Sequence, residues 1–391
     1  MTGTDQKTAI IVGAGPAGLI AADVLSAAGV AVTVIDQMPS VGRKFLMAGK
    51  SGLNLTKIED PAQFDAAFGD APPALRDALA QFGPAQVTAW AEGLGQPVFT
   101  GSTGRVFPVA MKASPLLRAW LNRLTQQGVS LLTRWTWTGW DGNALRFDTP
   151  EGPVTRSADI TILACGGASW RRLGSDGQWA DHFSDVAPFK PANCGFRVDW
   201  SDHMAPYFGQ PIKATTLHAG KATSRGEWVI TQNGIEGGGI YAVSAAVRDG
   251  APLFVDLMPD HELSALQQKL DAARQKSSLG KILKSTLRLP PVKIALFNEM
   301  SRRAEPATHT AALLKALPMM HSGPAPLDQA ISTAGGLRFS QLDGLMLPSK
   351  PGTFAAGEML DWEAPTGGYL ITACLATGRA AAVAALHQIA A

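Results

Sequence analysis

Cysteine is the first scarcity. Cys165, Cys194 and Cys374 are the three in a chain of 391 residues, and they form no Cys-x-x-Cys pair. A zinc ribbon or a dithiol redox centre needs that spacing, so neither is expected. An odd, sparse count suits a reducing compartment, and the cytoplasm is the expected location. The seven histidines fall in no His-x-x-His or His-Glu-x-x-His pattern, so no metal is expected. Charge is thin as well: 17% of residues are charged and the net charge is +2, which by itself implies no acidic partner. No uninterrupted apolar run approaches the roughly 18 residues of a membrane span. The opening "MTGTDQKTAIIVGAG" has no basic segment leading into an apolar one, so no signal peptide is expected. A chain this long exceeds one hydrophobic core, and two or three domains are expected.

Glycine, in contrast, is abundant, with 41 residues, and its placement carries the information. "KTAIIVGAGPAGLIAADVLSAAGVAVTVIDQ" reads as a strand over Thr8–Val12, a glycine turn, a helix over Pro16–Ala28 stopped by Gly29, and a second strand over Val30–Ile35. Gly13, Gly15 and Gly18 form Gly-x-Gly-x-x-Gly between the strand and the helix, and Asp36 follows Gly18 by 18 residues. In that context the motif is a dinucleotide fingerprint. Gly13 permits the tight turn, Gly15 lets backbone approach a pyrophosphate, and Gly18 allows the helix to pack closely. The pyrophosphate sits on the helix N-terminus, and Asp36 accepts from the adenosine ribose. The contacts expected from this unit are Gly13, Ala14, Gly15, Pro16, Ala17, Gly18, Asp36 and Gln37.

The fingerprint occurs once, so there is no second site for a nicotinamide nucleotide in a separate domain. FAD, held non-covalently, is the expected cofactor, with NAD(P)H as a transient reductant. The strand-and-turn "GTFAAGEMLD" returns to the same fold late in the chain, placing Gly357 and Glu358 at the cofactor. Thr366, Gly367, Gly368 and Tyr369 open a long C-terminal helix. Its N-terminus, aimed at the flavin pyrimidine edge, would stabilise negative charge on the reduced ring, although Thr366 also suits a capping role. Cys165, Gly166 and Gly167 end the strand in "ADITILACGG" beside the cofactor, where a structural role is expected for the thiol.

"GRKFLMAGKSGLNLT", Gly42–Thr56, has the Gly49-Lys50-Ser51 ending of a phosphate-binding P-loop. The position five before Gly49 is Lys44 rather than glycine, and the residues upstream are polar and turn-rich rather than a strand. A P-loop is therefore not expected. Between Asp185 and about Ala330 the texture changes to short strands divided by glycine and proline, which reads as an antiparallel sheet or small barrel. A mainly helical stretch follows His261.

Five segments, "GAGPAGLIAA", "GRKFLMAGKSGLNLT", "GRVFPVAMKAS", "ILACGGASWRRLGSDG" and "GEMLDWEAPTGGYLITACLATGRAA", resemble a family of bacterial FAD flavoproteins. That family has aminoacetone-oxidase-like and bile-acid-reductase-like members, and members linked to reduction of uridine in ribosomal RNA. Its nucleotide domain is similar to that of the fumarate reductase group. The resemblance covers most of residues 8–185 and 330–391, and the middle mainly through "TQNGIEGGGIYAVSAAV". It implies an α/β fold: a Rossmann-type FAD-binding domain (1–185 and 331–391), an inserted antiparallel β-barrel substrate domain (186–259 and 318–330) and a small helical subdomain (260–317). It also implies that Gly42, Arg43, Lys44, Gly52, Leu53 and Asn54 lie along the FAD, with Arg43 and Lys44 near the pyrophosphate and Asn54 near the ring. Many relatives read Gly-Gly-Gly-Arg-Cys-Asn where this chain reads "GKSGLN", so no role of that cysteine carries over, and the substrate is not transferable either.

The remaining candidates have two readings each. Arg105 orients substrate or forms a surface ion pair. Glu236 and Tyr241, in "GIEGGGIY", face the flavin or build a turn. Trp135, Trp137 and Trp140 are expected in a core rather than on a base-stacking surface. Between Arg274 and Arg303, eight cations (Arg274, Lys276, Lys281, Lys284, Arg288, Lys293, Arg302, Arg303) face one acid, Glu299. They form a solvated face or a surface for RNA phosphates. The expected function is an FAD-dependent oxidoreductase that passes hydride through flavin N5, reducing a polarised C=C bond of a small molecule, with Tyr241 or Tyr369 as proton donor. The alternatives are an RNA-modifying flavoenzyme that reduces uridine to dihydrouridine, and a non-catalytic flavin-binding redox sensor. No membrane partner is expected, and the residues leave the oligomeric state open.

Overall fold

The computed structural model describes residues 6–50, 52–274, 277–303 and 309–390. The chain divides into two compact units, one formed by Met1–Lys190 with Thr333–Ala391, the other by Pro191–Ser332. Ser51 and Lys276 lie outside the described residues.

The first unit is built on a five-stranded sheet in the order Thr353–Ala355, Ile160–Leu163, Thr8–Val12, Ala31–Asp36, Ser130–Thr133, parallel throughout. Ile160–Leu163 and Thr353–Ala355 are buried at every position, as strands covered on both faces require. The fingerprint helix, Pro16–Ala27, carries proline at its start and has eight buried residues. A meander of Thr136–Asp141, Ala144–Thr149 and Gly152–Arg156, bulged between Trp137 and Trp140, follows the parallel strand Ser130–Thr133.

Residues from the far end of the chain complete this unit. The helix Tyr369–Ala390 packs on the fingerprint helix through Gly378, where an added Cβ would lie 2.2 Å from the Ala17 carbonyl oxygen and 2.7 Å from Ile20 Cγ2. One residue earlier, the Thr377 hydroxyl accepts the Gly357 N–H at 3.0 Å and donates to the Ala373 carbonyl at 2.7 Å. By length and composition this one helix is apolar enough to cross a membrane. Thr372, Thr377, Gly378 and Arg379 interrupt the run, which is why no long uninterrupted apolar stretch is visible in the sequence. Ten of its residues are buried within the protein.

The second unit has two four-stranded sheets whose strand pairs are antiparallel. One runs Phe196–Arg197, Gly234–Glu236, Trp228–Thr231, Pro211–Ile212; the other Ala222–Ser224, Thr216–Ala219, Leu253–Asp256, Leu317–Pro318. These sheets and the helices Leu263–Arg274, Pro291–Ser301 and Thr310–Lys315 share one hydrophobic cluster that includes Trp228, Ile230, Leu266 and Leu296. Lys293 is buried here. Its ammonium donates to the carbonyls of Ala214 at 2.8 Å and Leu257 at 3.1 Å, and burial holds its pKa below the usual lysine value.

Gly378 tests the helix–helix contact. Replacing a helical glycine by alanine ordinarily gains about 1 kcal/mol of propensity, whereas overpacking a close contact costs about 1–3 kcal/mol. With a backbone oxygen at 2.2 Å the clash outweighs the gain. Gly378→Ala is expected to lower stability to urea, and an unchanged or higher midpoint would refute the contact.

Candidate functional site

A cleft opens at the carboxyl ends of the parallel strands, where the three fingerprint glycines prove to have different reasons to be glycine. Gly13 has φ +102°, donates its N–H to the Ile35 carbonyl at 2.7 Å, and would bring a Cβ to 2.2 Å from the Ala164 carbonyl oxygen. At Gly18 a Cβ would lie 1.9 Å from the Gly13 carbonyl oxygen. Gly15 is otherwise. Its φ of −85° suits any residue, and a Cβ there meets no atom within 4 Å. The fold does not require glycine at that position, but the open cleft above it does, if a ligand is to touch the backbone. The helix that starts at Pro16 has no side-chain cap, so its first N–H groups are available to an anion.

Asp36 ends the second strand and locks the loop. One carboxylate oxygen accepts the Ala14 N–H at 2.9 Å and the other the Met38 N–H at 2.8 Å. Burial raises its pKa, against the lowering effect of those two hydrogen bonds and of Arg43. Gln37 donates to the Gly174 carbonyl at 2.9 Å, tethering the segment Gly174–Gly177 to the cleft wall. In that segment Ser175 is 5% exposed, and its hydroxyl faces the cleft without a hydrogen-bond partner. Arg43 Nε is buried and unpartnered too, while its Nη1 donates to Ser40 at 3.0 Å. Unpartnered buried donors are uncommon in folded proteins, and these two line a cleft whose floor is left open by Gly15. The residues therefore fit a bound dinucleotide.

The other cation has a partner already. Lys44 donates to Ser169 at 2.8 Å and to Glu358 at 2.7 Å, and Glu358 also accepts the Thr333 N–H at 3.0 Å. Gly357, at φ +82°, faces Ala17, and a Cβ there would lie 2.7 Å from that methyl group. The thiols of Cys165 and Cys374 also line the cleft. Burial pushes both pKa values upward, Cys374 to about 12, so both are neutral thiols.

The cleft thus brings together Gly13–Ala17, Asp36, Gln37, Gly42, Arg43, Lys44, Cys165, Gly166, Gly357 and Glu358. Gly18 and Gly167 lie behind its wall, Gly167 against Thr333. Of "GKSGLN", the described residues Gly49, Lys50, Gly52, Leu53 and Asn54 do not line it. The residues Arg43–Ala48 are helical and Gly49 is pressed on Ala113, so the Gly-Lys pair follows a helix instead of preceding one, unlike a P-loop. Sequence reasoning missed Ser175, Asp176 and Trp179, and it assigned Trp135 and Trp137 to a core. Trp137 is buried against Trp140 and His182, with ring centroids at 4.7 and 4.8 Å, and still lines the cleft with Trp135. The alternation along a strand was visible, but not which face meets the cleft.

A separate cluster surrounds the start of the C-terminal helix. Gly368, at φ +104°, is pressed on the backbone of Thr56, and Gly367, at φ +125°, stands beside the Arg105 guanidinium. The Tyr369 hydroxyl donates to Glu59 and accepts from Lys57 at 3.1 Å, while Lys57 pairs with Glu59 at 2.6 Å. Burial and the Glu59 carboxylate raise the tyrosine pKa. Its ring packs on Phe64 and Phe68 at 5.1 and 5.9 Å. Nearby, Leu53 is buried and donates its N–H to Met111, Gly52 (φ +116°) faces the Met111 side chain, and Asn54 Oδ1 is buried without a partner. Thr366 precedes the two glycines. Glu236 and Tyr241 belong to the second unit, where Glu236 is exposed and burial, with Glu236, raises the Tyr241 pKa.

A family model described as the HI0933-like protein Rossmann domain matches residues 7–384. The 3-dehydro-bile acid delta(4,6)-reductase of Clostridium scindens is 27% identical over 413 residues, covering 97% of this chain and 98% of that protein. A ribosomal RNA dihydrouridine synthase of Haemophilus influenzae is 25% identical over 297 residues, covering 73% and 72%. Among solved structures, 3-ketosteroid delta1-dehydrogenase from Sterolibacterium denitrificans aligns with a TM-score of 0.54 at 12% identity, over 98% of this chain and 100% of that one. At that identity the likeness concerns the fold.

The glycines separate folding from binding. Gly15→Leu is expected to keep the thermal midpoint and lose dinucleotide binding, because its side chain enters the open cleft. Gly18→Ala is expected to lose about 1–3 kcal/mol of stability through overpacking. Calorimetry of both variants with dinucleotide titration checks this, and a Gly15→Leu protein that still binds would refute the assignment.

Proposed function

The chain belongs to the HI0933-like family, and on that footing we propose that it is an FAD-dependent oxidoreductase that reduces a polarised C=C bond in a small molecule, with NAD(P)H as the electron donor. The observation that carries the cofactor reading is Gly15, whose backbone at the helix start is open to the cleft. Bound non-covalently in the cleft, FAD supplies a hydride carrier at N5. The uncapped start of Pro16–Ala27 and Arg43 hold the pyrophosphate, and Asp36 keeps lone pairs for ribose hydroxyls while it fixes the loop. The Lys44–Glu358 pair holds the turn at Gly357 against the strand-end glycines rather than neutralising phosphate.

The C=C reading draws on the names of two relatives, a delta(4,6)-reductase and a dihydrouridine synthase, which both describe saturating such a bond. Both kinds of relative span nearly the whole chain, and the small-molecule reading follows the bile-acid one for its higher identity, 27% against 22% for a ribosomal RNA dihydrouridine synthase of Escherichia coli. Arg105, beside Gly367, is the proposed contact for a substrate carbonyl or carboxylate. Tyr369 is the proposed proton donor: it holds its own proton, hydrogen-bonded to Glu59, Lys57 donates to its oxygen, and protonation of the product carbon would take that proton and leave a tyrosinate facing the Lys57 ammonium. Tyr241 stands second, since its hydroxyl has no such relay.

The test is direct. The purified chain is expected to carry FAD, to be reduced by NADH or NADPH without oxygen, and to be reoxidised by a member of an enone panel. Protein that is colourless and takes up no FAD would overturn the reading. Tyr369→Phe is expected to retain FAD and lower kcat about a hundred-fold, the low end for a lost general acid. An unchanged kcat would assign the proton elsewhere.

A further inference from the structure

In the second unit, a cavity of about 510 Å³ lies between the turn Asp202–Tyr207 and the helix Pro291–Ser301. That volume falls within the range of small-ligand sites, about 300–1,000 Å³. The helix presents Pro291, Ile294, Ala295 and Asn298 to it, with Arg302 just past its end, spaced as one face, while its other face buries Val292, Leu296, Phe297 and Met300 in the core. Met204 and Leu289 form an apolar floor, and Tyr207 adds a half-buried ring. The rim is cationic. Lys284 and Arg302 are exposed, line the cavity and have no hydrogen-bond or ion-pair partner among the described residues. The one acid there, Glu299, is fully engaged: it accepts from the Ser201 N–H at 3.0 Å, the Ser201 hydroxyl at 2.6 Å and Arg303 at 2.6 Å.

The backbone on the Lys284 side departs from regular helix. Ile282–Thr286 is a π-helical turn, with the Leu287 N–H donating to the Ile282 carbonyl at 2.9 Å. Arg288 follows at φ +54°, a left-handed conformation that a long side chain rarely adopts. Such turns cluster at functional sites because they re-aim side chains, and here the turn sets Lys284 at the cavity mouth.

We propose that this cavity binds a small amphipathic anion, its apolar body against Met204, Leu289 and Ile294 and its carboxylate, sulfonate or phosphate between Lys284 and Arg302. An RNA strand fits less well. Of the eight cations between residues 274 and 303, Arg274 is bonded to Thr310, Lys293 is buried on two carbonyls, and Arg303 is spent on Glu299 and Asp199. Of the others described, Lys284 and Arg302 flank an apolar cavity while Lys281 and Arg288 do not line it, which is a poor match to a phosphate backbone. This proposal does not depend on the flavin reading, since every residue in it belongs to the second unit.

Calorimetric titration of the full chain, as purified and saturated with FAD, with octanoate and with 8-anilinonaphthalene-1-sulfonate tests it. Both anions are expected to bind, and the uncharged analogue octanol to bind at least about ten-fold more weakly, given the strength of charge-assisted contacts. Lys284→Glu with Arg302→Glu is expected to weaken both anions by a similar factor. Ala295→Trp, which fills the cavity, should abolish binding, and Lys281→Glu, outside it, should change nothing. Circular dichroism verifies that each variant is folded. Equal affinity in the wild type, the double variant and Ala295→Trp would overturn the proposal. So would a single-stranded RNA oligonucleotide that binds more tightly than either anion and is lost in the same double variant.

Discussion

The first unit depends on one stationary element, the helix Pro16–Ala27, wedged by backbone contact on two sides. Gly18 lets it press on the Gly13 turn, and Gly378 lets the C-terminal helix press on its Ala17 carbonyl. Neither contact has room for a side-chain carbon. Because interiors are packed to crystal-like density, contacts of this kind are stiff, and the helix N-terminus stays at a fixed height beneath the cleft. A charged ligand benefits from that rigidity, since N–H groups already in place need no reorganisation to receive it. It also explains why residues near both ends of the sequence are needed to make one site.

The electrostatics of the cleft follow from which charges are already paired. Lys44 is paired with Glu358, and that carboxylate also ties down the Gly167 and Thr333 N–H groups. Asp36 is occupied on both oxygens by backbone donors, and its carboxylate serves first to shape the loop. The donors left over include the helix N-terminus, Arg43 Nε, the Ser175 hydroxyl and Trp137 Nε1. A cleft with spare donors beside the helix N-terminus is complementary to an acceptor-rich ligand, and a dinucleotide pyrophosphate is one.

What could be read from the sequence was whatever is local. Strand, turn, helix and acid lie within about thirty residues, and fixed spacing makes them legible. The late strand and the glycines before the C-terminal helix were legible for the same reason. Partnerships between distant residues were not. Nothing in "GRKF" shows that Lys44 meets Glu358, and nothing in "GGYL" shows that Tyr369 meets Glu59. Ser175 was in view within "LGSDG", but its importance comes from burial beside Gly166, which no spacing rule reveals. Trp137 was assigned by frequency to a core, and it is both core and cleft wall.

The basic stretch in the second unit shows the same limit in its strongest form. A count of cations measures potential only if the charges are free and face one way. Lys293 is buried with its ammonium on main-chain carbonyls, so it works as a structural clamp on the Ala214 turn, whose φ is +49°. Arg303 is set against Glu299, and Arg274 against Thr310. The Arg303–Glu299 pair cancels a charge, whereas Arg274 and Lys293 keep theirs but have their side chains fixed by neutral oxygens. Among the described residues Lys281, Lys284, Arg288 and Arg302 have no such fixed partner, and two of these flank a cavity with apolar walls. A polyanion gains affinity by displacing counterions along a run of cations, whereas a small anion needs two cations at one place and an apolar surface beneath them. The residues here meet the second requirement, so the charge that looked like a nucleic-acid surface is better accounted for as the mouth of a binding site.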